Sequence, residues 1–266
     1  MSGKYPRFGP VTLTFLELKA FYEQSYTRGG ERGELYAQWR ALSAVGKADH
    51  VLALTPIALR SGDTRVLDVG CGDGALIAEL ARRQPGWRYA GVEIAEAAVD
   101  LAAGRCPDAD VRAFDGDTLP FDDATFDLAV LSHVLEHVPD PVAALTEAAR
   151  VAKRVIVEVP LEDNLSARRP SKRPVADHVG HIQRFSRAAI ARLAGGAGLR
   201  VTGELADPLG RDVHTFFVTS PAGRARGTAK WLIRQGVSTL APGTAERLFT
   251  VHYACMCEPA EARTSR

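Results

Sequence analysis

Neither sign of charge is in excess: 33 Lys and Arg face 32 Asp and Glu over 266 residues, a formal net charge of +1. Such a chain makes no global field to gather nucleic acid or an anionic membrane, so neither is expected as a partner. No apolar run approaches the about 20 residues of a membrane span, and the opening Met1-Ser2-Gly3-Lys4-Tyr5-Pro6 has no signal-peptide core. Cysteine is scarce. Cys71, Cys106, Cys255 and Cys257 form no C-x-x-C pair, and free thiols in a reducing, cytoplasmic compartment are the simplest reading. Cys255 and Cys257 would point the same way on a strand. Internal repeats and low-complexity segments are also missing. What remains, 46% hydrophobic and 24% charged residues, is an ordinary globular composition, enough for one large core with additions.

The most informative stretch runs R-V-L-D-V-G-C-G-D-G-A-L from Arg65 to Leu76. A short β-branched run stops at Gly70, Gly72 and Gly74, and an amphipathic run starts at once with Ala75-Leu76-Ile77-Ala78-Glu79-Leu80. Strand, glycine turn, then helix opens a doubly wound α/β sheet. The glycines let backbone lie against a ligand that a Cβ would exclude. Their spacing is G-x-G-x-G, which differs from the dinucleotide fingerprint G-x-G-x-x-G. Asp68 ends the strand beside the turn, where it would repel a diphosphate and attract a cation.

The rest of the chain alternates in the same manner. Strands are expected at 88–93, 110–114, 125–131, 153–159 and 199–205, with helices between them and a last, antiparallel strand at 249–257 in preference to 213–219. Two helical stretches precede the first strand, 11–26 and 34–59, separated by a loop at 28–33. Tyr26, Trp39 and Arg40 can reach back over a pocket from this cover, although packing on the sheet is the plainer expectation for Trp39. The boundaries read as a helical cover over 1–60, a core over 61–209, a helical insertion or lid over 210–248, and a strand with tail over 249–266. Glu93, at the tip of strand two and about twenty residues past the turn, is placed to accept from two vicinal ribose hydroxyls.

VLDVGCGDG resembles the first motif of S-adenosylmethionine (SAM)-dependent methyltransferases of Rossmann-like fold, whose seven-stranded sheet is then expected here. SAM carries a sulfonium and an ammonium group and no phosphate, which suits an acidic turn. Asp115-Gly116-Asp117-Thr118-Leu119-Pro120-Phe121 is similar to the family's segment after strand three. It implies Asp115 as acceptor from the adenine amine and Gly116 as N–H donor to the ring, with Asp117 as competitor for the first role. The resemblance thus implies a cofactor site of Arg40, Asp68, Gly70, Gly72, Glu93, Ile94, Asp115, Gly116, Ser132 and His133.

The acceptor side is rich in histidine. His133 and His137 follow strand four, His178 and His181 sit in a long segment after strand five, and His214 lies in the insertion. His137, His178 and His181 are the candidates for a general base, which a hydroxyl acceptor needs near neutrality. Glu136, His137 and His181 also resemble the E-x-x-E-H segment and later His with which ubiquinone-biosynthesis and small-RNA ribose 2′-O-methyltransferases hold a divalent cation such as Mg2+. His133 stands where the first Glu of that pattern sits. The basic run Arg168 to Arg173 lacks interleaved aromatics and reads as a solvated loop, or as a steering patch for an anionic acceptor. O-methylation of a small molecule such as a sugar or natural product is the expected activity. N- or C-methylation, or SAM binding without transfer, is the alternative. A homodimer through the insertion is compatible with the sequence.

Overall fold

The strands form where the sequence has short, unbroken apolar runs. In the computed structural model, which describes residues 15–27, 30–169 and 180–260, these are β1 (Arg65–Val69), β2 (Arg88–Glu93), β3 (Asp110–Ala113), β4 (Leu128–Ser132), β5 (Val155–Pro160), β6 (Leu199–Asp207) and β7 (His252–Pro259). They make one sheet in the order β3-β2-β1-β4-β5-β7-β6, with β7 antiparallel to both its neighbours and β1 to β5 parallel. The seven-stranded α/β sheet expected from the motifs is therefore present. Strand order reverses between β1 and β4, and in open sheets the ligand crevice lies outside the strand ends at such a point.

Alternation along the central strands feeds two cores. Leu67, Val69, Leu131, Val155 and Val157 pack with Leu145 and Ala148 of α6 (Pro141–Val151) and Ile190 of α7 (Arg187–Gly196). Val66, Leu128, Val130 and Ile156 pack on the other face with Val51 of α2 (Gly30–Leu54) and Leu76 and Leu80 of α4 (Ala75–Arg83). Strands covered on both faces need no polar side, hence the near-continuous apolar runs of β4, up to its last residue Ser132, and of β5. Glu158 is the exception in β5.

The remaining helices are α1 (Phe15–Tyr26), α3 (Ile57–Arg60), α5 (Glu96–Arg105), α8 (Arg211–Thr215), α9 (Pro221–Leu240) and α10 (Pro242–Leu248). Several boundaries differ from the sequence reading. α2 starts at Gly30, inside the expected loop, and ends before Pro56, which starts α3 instead of extending the long helix. β4 begins three residues late because Phe126 makes only an isolated bridge to Ala152. β6 runs on to Asp207, with a register shift between Val201 and Gly203. The last strand is the favoured segment, and Cys255 and Cys257 do share a face of it, Sγ to Sγ 3.8 Å. The stretch 210–248 is helical, in α8, α9 and α10.

Candidate active site

Outside the β1 and β4 ends lies a cavity of about 890 Å3. Its floor is the glycine turn, where Gly70 and Gly72 take φ of +72° and +54°, the left-handed region that suits glycine. A Cβ on Gly72 would fall 2.5 Å from the Tyr26 hydroxyl, so α1 closes directly onto the turn. Glu93 accepts from the Gly72 N–H (3.0 Å) with one oxygen and from the Ile94 and Ala95 N–H groups (2.7 and 3.1 Å) with the other. Three bonds leave about one of its roughly four acceptor sites for a ligand. Burial raises its pKa against those three donors. Asp68, also buried in the wall, is pushed up to about 7 by loss of water, with Lys47 pulling the other way. Arg40 reaches the cavity with its Nε on Asp73 (2.8 Å) and its guanidinium 4.9 Å from the Tyr26 ring centre, and Arg105 grips the other Asp73 oxygen (2.9 Å).

Gly70, Ile94, Gly116, Ser132 and His133 also line the cavity. Asp115 departs from expectation. Its carboxylate is exposed and accepts from the Asp117 and Thr118 N–H groups (both 2.9 Å), fixing the turn, and Asp117 takes the place in the wall. Trp39 departs too: it faces the cavity, 6.0 Å from the Phe217 ring.

At the acceptor end, Glu136, His137 and His181 bring one ligand atom each within 4.8 Å of one another. Glu136 is fully buried, and burial works against its charge, but the imidazoles of His133, His137 and His181 hold its pKa down at about 2. His133 Nδ1 lies 2.9 Å from Glu136 Oε1, while Oε2 has no hydrogen-bond partner. His137 donates from Nδ1 to the Gly180 carbonyl (3.0 Å), and burial drops its pKa to about 4, so the ring is neutral. His181 pairs through Nδ1 with Glu162 (2.9 Å), and that carboxylate outweighs burial to raise its pKa. Each ring thus keeps Nε2 uncommitted to these partners. Tyr22, edge-on to His137 at 5.7 Å, has a buried hydroxyl without a partner.

A second chain of polar groups runs behind them. His133, at a φ of +60° unusual for a residue with a Cβ, sits with Nε2 3.0 Å from His252 Nδ1. Glu158 accepts from Ser132 Oγ (2.7 Å) and meets His50 Nδ1 (3.0 Å), whose Nε2 is 3.1 Å from Asp207. His178 lies outside the described residues, as does the basic run beyond Arg169; Arg168 pairs with Asp163 at 2.8 Å. His214 is not in the cavity wall. Sequence reasoning missed Tyr22, His50, Asp73, Glu158 and His252. A charge inside the apolar run V-I-V-E-V-P was a usable signal for Glu158, since a buried carboxylate needs partners.

With this geometry in view, comparison with known proteins places the chain. The family described as methyltransferase domain matches residues 36–204. An uncharacterized 37.1 kDa protein in a Streptomyces fradiae transposon is 30% identical over 154 residues, 55% of this chain and 44% of that one. The ubiquinone biosynthesis O-methyltransferase of Hahella chejuensis is 36% identical over 94 residues, 34% of this chain and 39% of that one. The chain therefore spans less than half the length of these curated relatives. Among solved structures, geranyl diphosphate C-methyltransferase from Streptomyces coelicolor, in complex with Mg2+, geranyl diphosphate and S-adenosyl-L-homocysteine, superposes with a TM-score of 0.57 at 15% identity, covering 81% of this chain and 79% of that one. A family match over more than half of the chain, on a seven-stranded sheet of the expected order, makes this protein a member of the methyltransferase domain family.

Proposed function

We propose that the chain transfers the methyl group of SAM to a hydroxyl of a small molecule, with a divalent cation seated on Glu136, His137 and His181. The observation that carries this is the orphaned Oε2 of Glu136. A buried carboxylate oxygen without a donor is costly unless something electropositive meets it. Its surroundings suit ligation: both imidazoles have Nδ1 tied to an oxygen, the arrangement that fixes the tautomer and aims Nε2 at a metal. Two imidazoles and one carboxylate favour a first-row transition cation over Mg2+, which prefers oxygen ligands alone.

SAM, when bound, supplies a methyl group on a sulfonium, already a good leaving group. A cation on the three residues would lower the pKa of the acceptor hydroxyl and orient it. The chain's own task is alignment, where positioning alone can be worth about 7–11 kcal/mol. Asp68 faces the positive charge of the donor, Glu93 takes a ribose hydroxyl, and Gly116 with Asp117 meets the adenine. Tyr22 and Tyr26, folded down from α1, keep water from the transfer line.

A second reading has an observation of its own. The Glu162–His181 pair, at 2.9 Å, is a carboxylate-oriented imidazole able to take the hydroxyl proton without a cation. Chelation by EDTA separates the two. The cation reading expects a fall in turnover of at least about a hundredfold, restored by Mn2+ or Zn2+, and the same loss in Glu136→Ala with SAM affinity nearly unchanged. Full turnover after chelation, with loss only in His181→Ala, would move the proton to His181. The acceptor class is tested with labelled SAM and a panel of sugars, phenols, amines and prenyl diphosphates. Label on amines or carbon alone would remove the hydroxyl assignment, and tight SAM binding without any transfer would leave a binding protein.

A further inference from the structure

Helix α9 turns most of its aliphatic residues outward, with Val237 the one that packs on the main core. Ala222, Ala225, Ala229, Leu232, Ile233 and Leu240 fall within one half of its circumference and are all exposed. Leu232, Ile233 and Leu240 are 57%, 61% and 87% accessible. Apart from Val237, the covered side holds polar and aromatic groups: Trp231 donates to the Leu209 carbonyl (2.9 Å), Gln235 joins it in the cavity wall, and Arg234 stands over the Phe249 ring. A surface helix of a globular protein shows the reverse. The same twenty residues contain Arg224, Arg226, Lys230 and Arg234 and no Asp or Glu. Arg226 and Lys230 are exposed and border one edge of the apolar face, beside Ile233.

We propose that α9 docks on an anionic lipid bilayer, its Leu232, Ile233 and Leu240 face set among the headgroups and Arg226 and Lys230 against lipid phosphates. A basic helix with one apolar face lies in the plane of such an interface. Among the described residues no helix is long and apolar enough to cross a membrane, so the contact is peripheral. A second copy on this face would set like charges of the two helices together with no acid on either helix to answer them, whereas an anionic surface neutralises them. The overall charge of +1 conceals the patch because the balancing acids lie elsewhere.

Flotation of the full chain with vesicles tests it. With equal parts phosphatidylglycerol and phosphatidylcholine at low salt the protein should float, with phosphatidylcholine alone it should stay below, and high salt should release it. Arg226→Gln with Lys230→Gln should weaken partitioning about fivefold per cation, about 25-fold for the pair. Leu232→Ser with Ile233→Ser should abolish flotation without lowering the melting temperature, since both side chains are exposed. Absence of flotation on the mixed vesicles at low salt, or flotation that the serine pair leaves intact, overturns the proposal. So does a dimer in solution that the serine pair converts to monomer, which would give the face to a second copy.

Discussion

Asp68 shows how a single buried carboxylate can make donor binding depend on pH. Burial lifts its pKa to about 7, so near neutrality the empty pocket holds it only partly ionised. A cationic donor binds the ionised form more tightly, and its binding pulls the pKa down. SAM affinity should therefore fall as pH drops below 7, by at most about tenfold per unit. Asp68→Asn should bind weakly and with a flat profile. Calorimetric titration between pH 5.5 and 7.5 checks both; a wild-type profile without slope would remove Asp68 from the donor site. Gly72 makes a second case. Alanine there would need a left-handed backbone, a cost of about 1–2 kcal/mol, and would collide with the Tyr26 hydroxyl. Gly72→Ala should lose SAM binding, and Gly72→Ala with Tyr26→Phe should recover part of it if the collision is the main fault. That Asp68, Gly70, Gly72 and Glu93 would line the cavity was legible because each sits at a strand end beside a breaker. The placing of Asp115 was not, since a carboxylate in a D-G-D-T turn can face a ligand or cap its own backbone, and the sequence does not say which.

Elements were legible to the extent that their residues repeat. β1, β2 and β5 lie where the apolar runs are, whereas the start of β4 slipped because Thr125 and Phe126 are good strand formers that find no continuous ladder partner. α2 reached further back than expected: the helix runs through Gly30 and Gly33, whose weak helix preference had read as a loop. α6 begins where capping chemistry says it should: the Asp140 side chain accepts from the Val142 and Ala143 N–H groups, both at 3.0 Å, and Pro141 fills the first helical position. This cap also sits in the cavity wall next to the histidine cluster. Asp140→Ala should cost about 1 kcal/mol, a fall of about 2–4 °C in melting temperature, and Asp140→Asn should restore most of it. An unchanged melting curve in the alanine variant would show that the cap contributes nothing.

At the scale of the molecule, contacts between distant elements matter most, and these are the ones no local pattern announces. His50 stands on α2, Glu158 on β5 and Asp207 at the end of β6 just before α8, so one imidazole ties α2 to the middle of the sheet and to its far edge. Burial alone would lower the His50 pKa, but the hydrogen bonds to Asp207 and Glu158 lift it to about 10. Asp207 is half exposed and screened by water, so buried Glu158 is the partner that counts. A group whose pKa is higher folded than unfolded stabilises fully below its unfolded value, about 6.5 for histidine, and that contribution is lost as pH rises through the folded value. Stability should decline between about pH 6.5 and pH 10, by a few kcal/mol at most after allowance for screening. His50→Gln should be less stable at pH 7 and should lose less on the way to pH 10. Denaturant unfolding at three pH values measures this: if the wild type and His50→Gln decline in parallel, the imidazole is not charged in the fold, and the tie between α2, β5 and β6 is an ordinary neutral hydrogen bond.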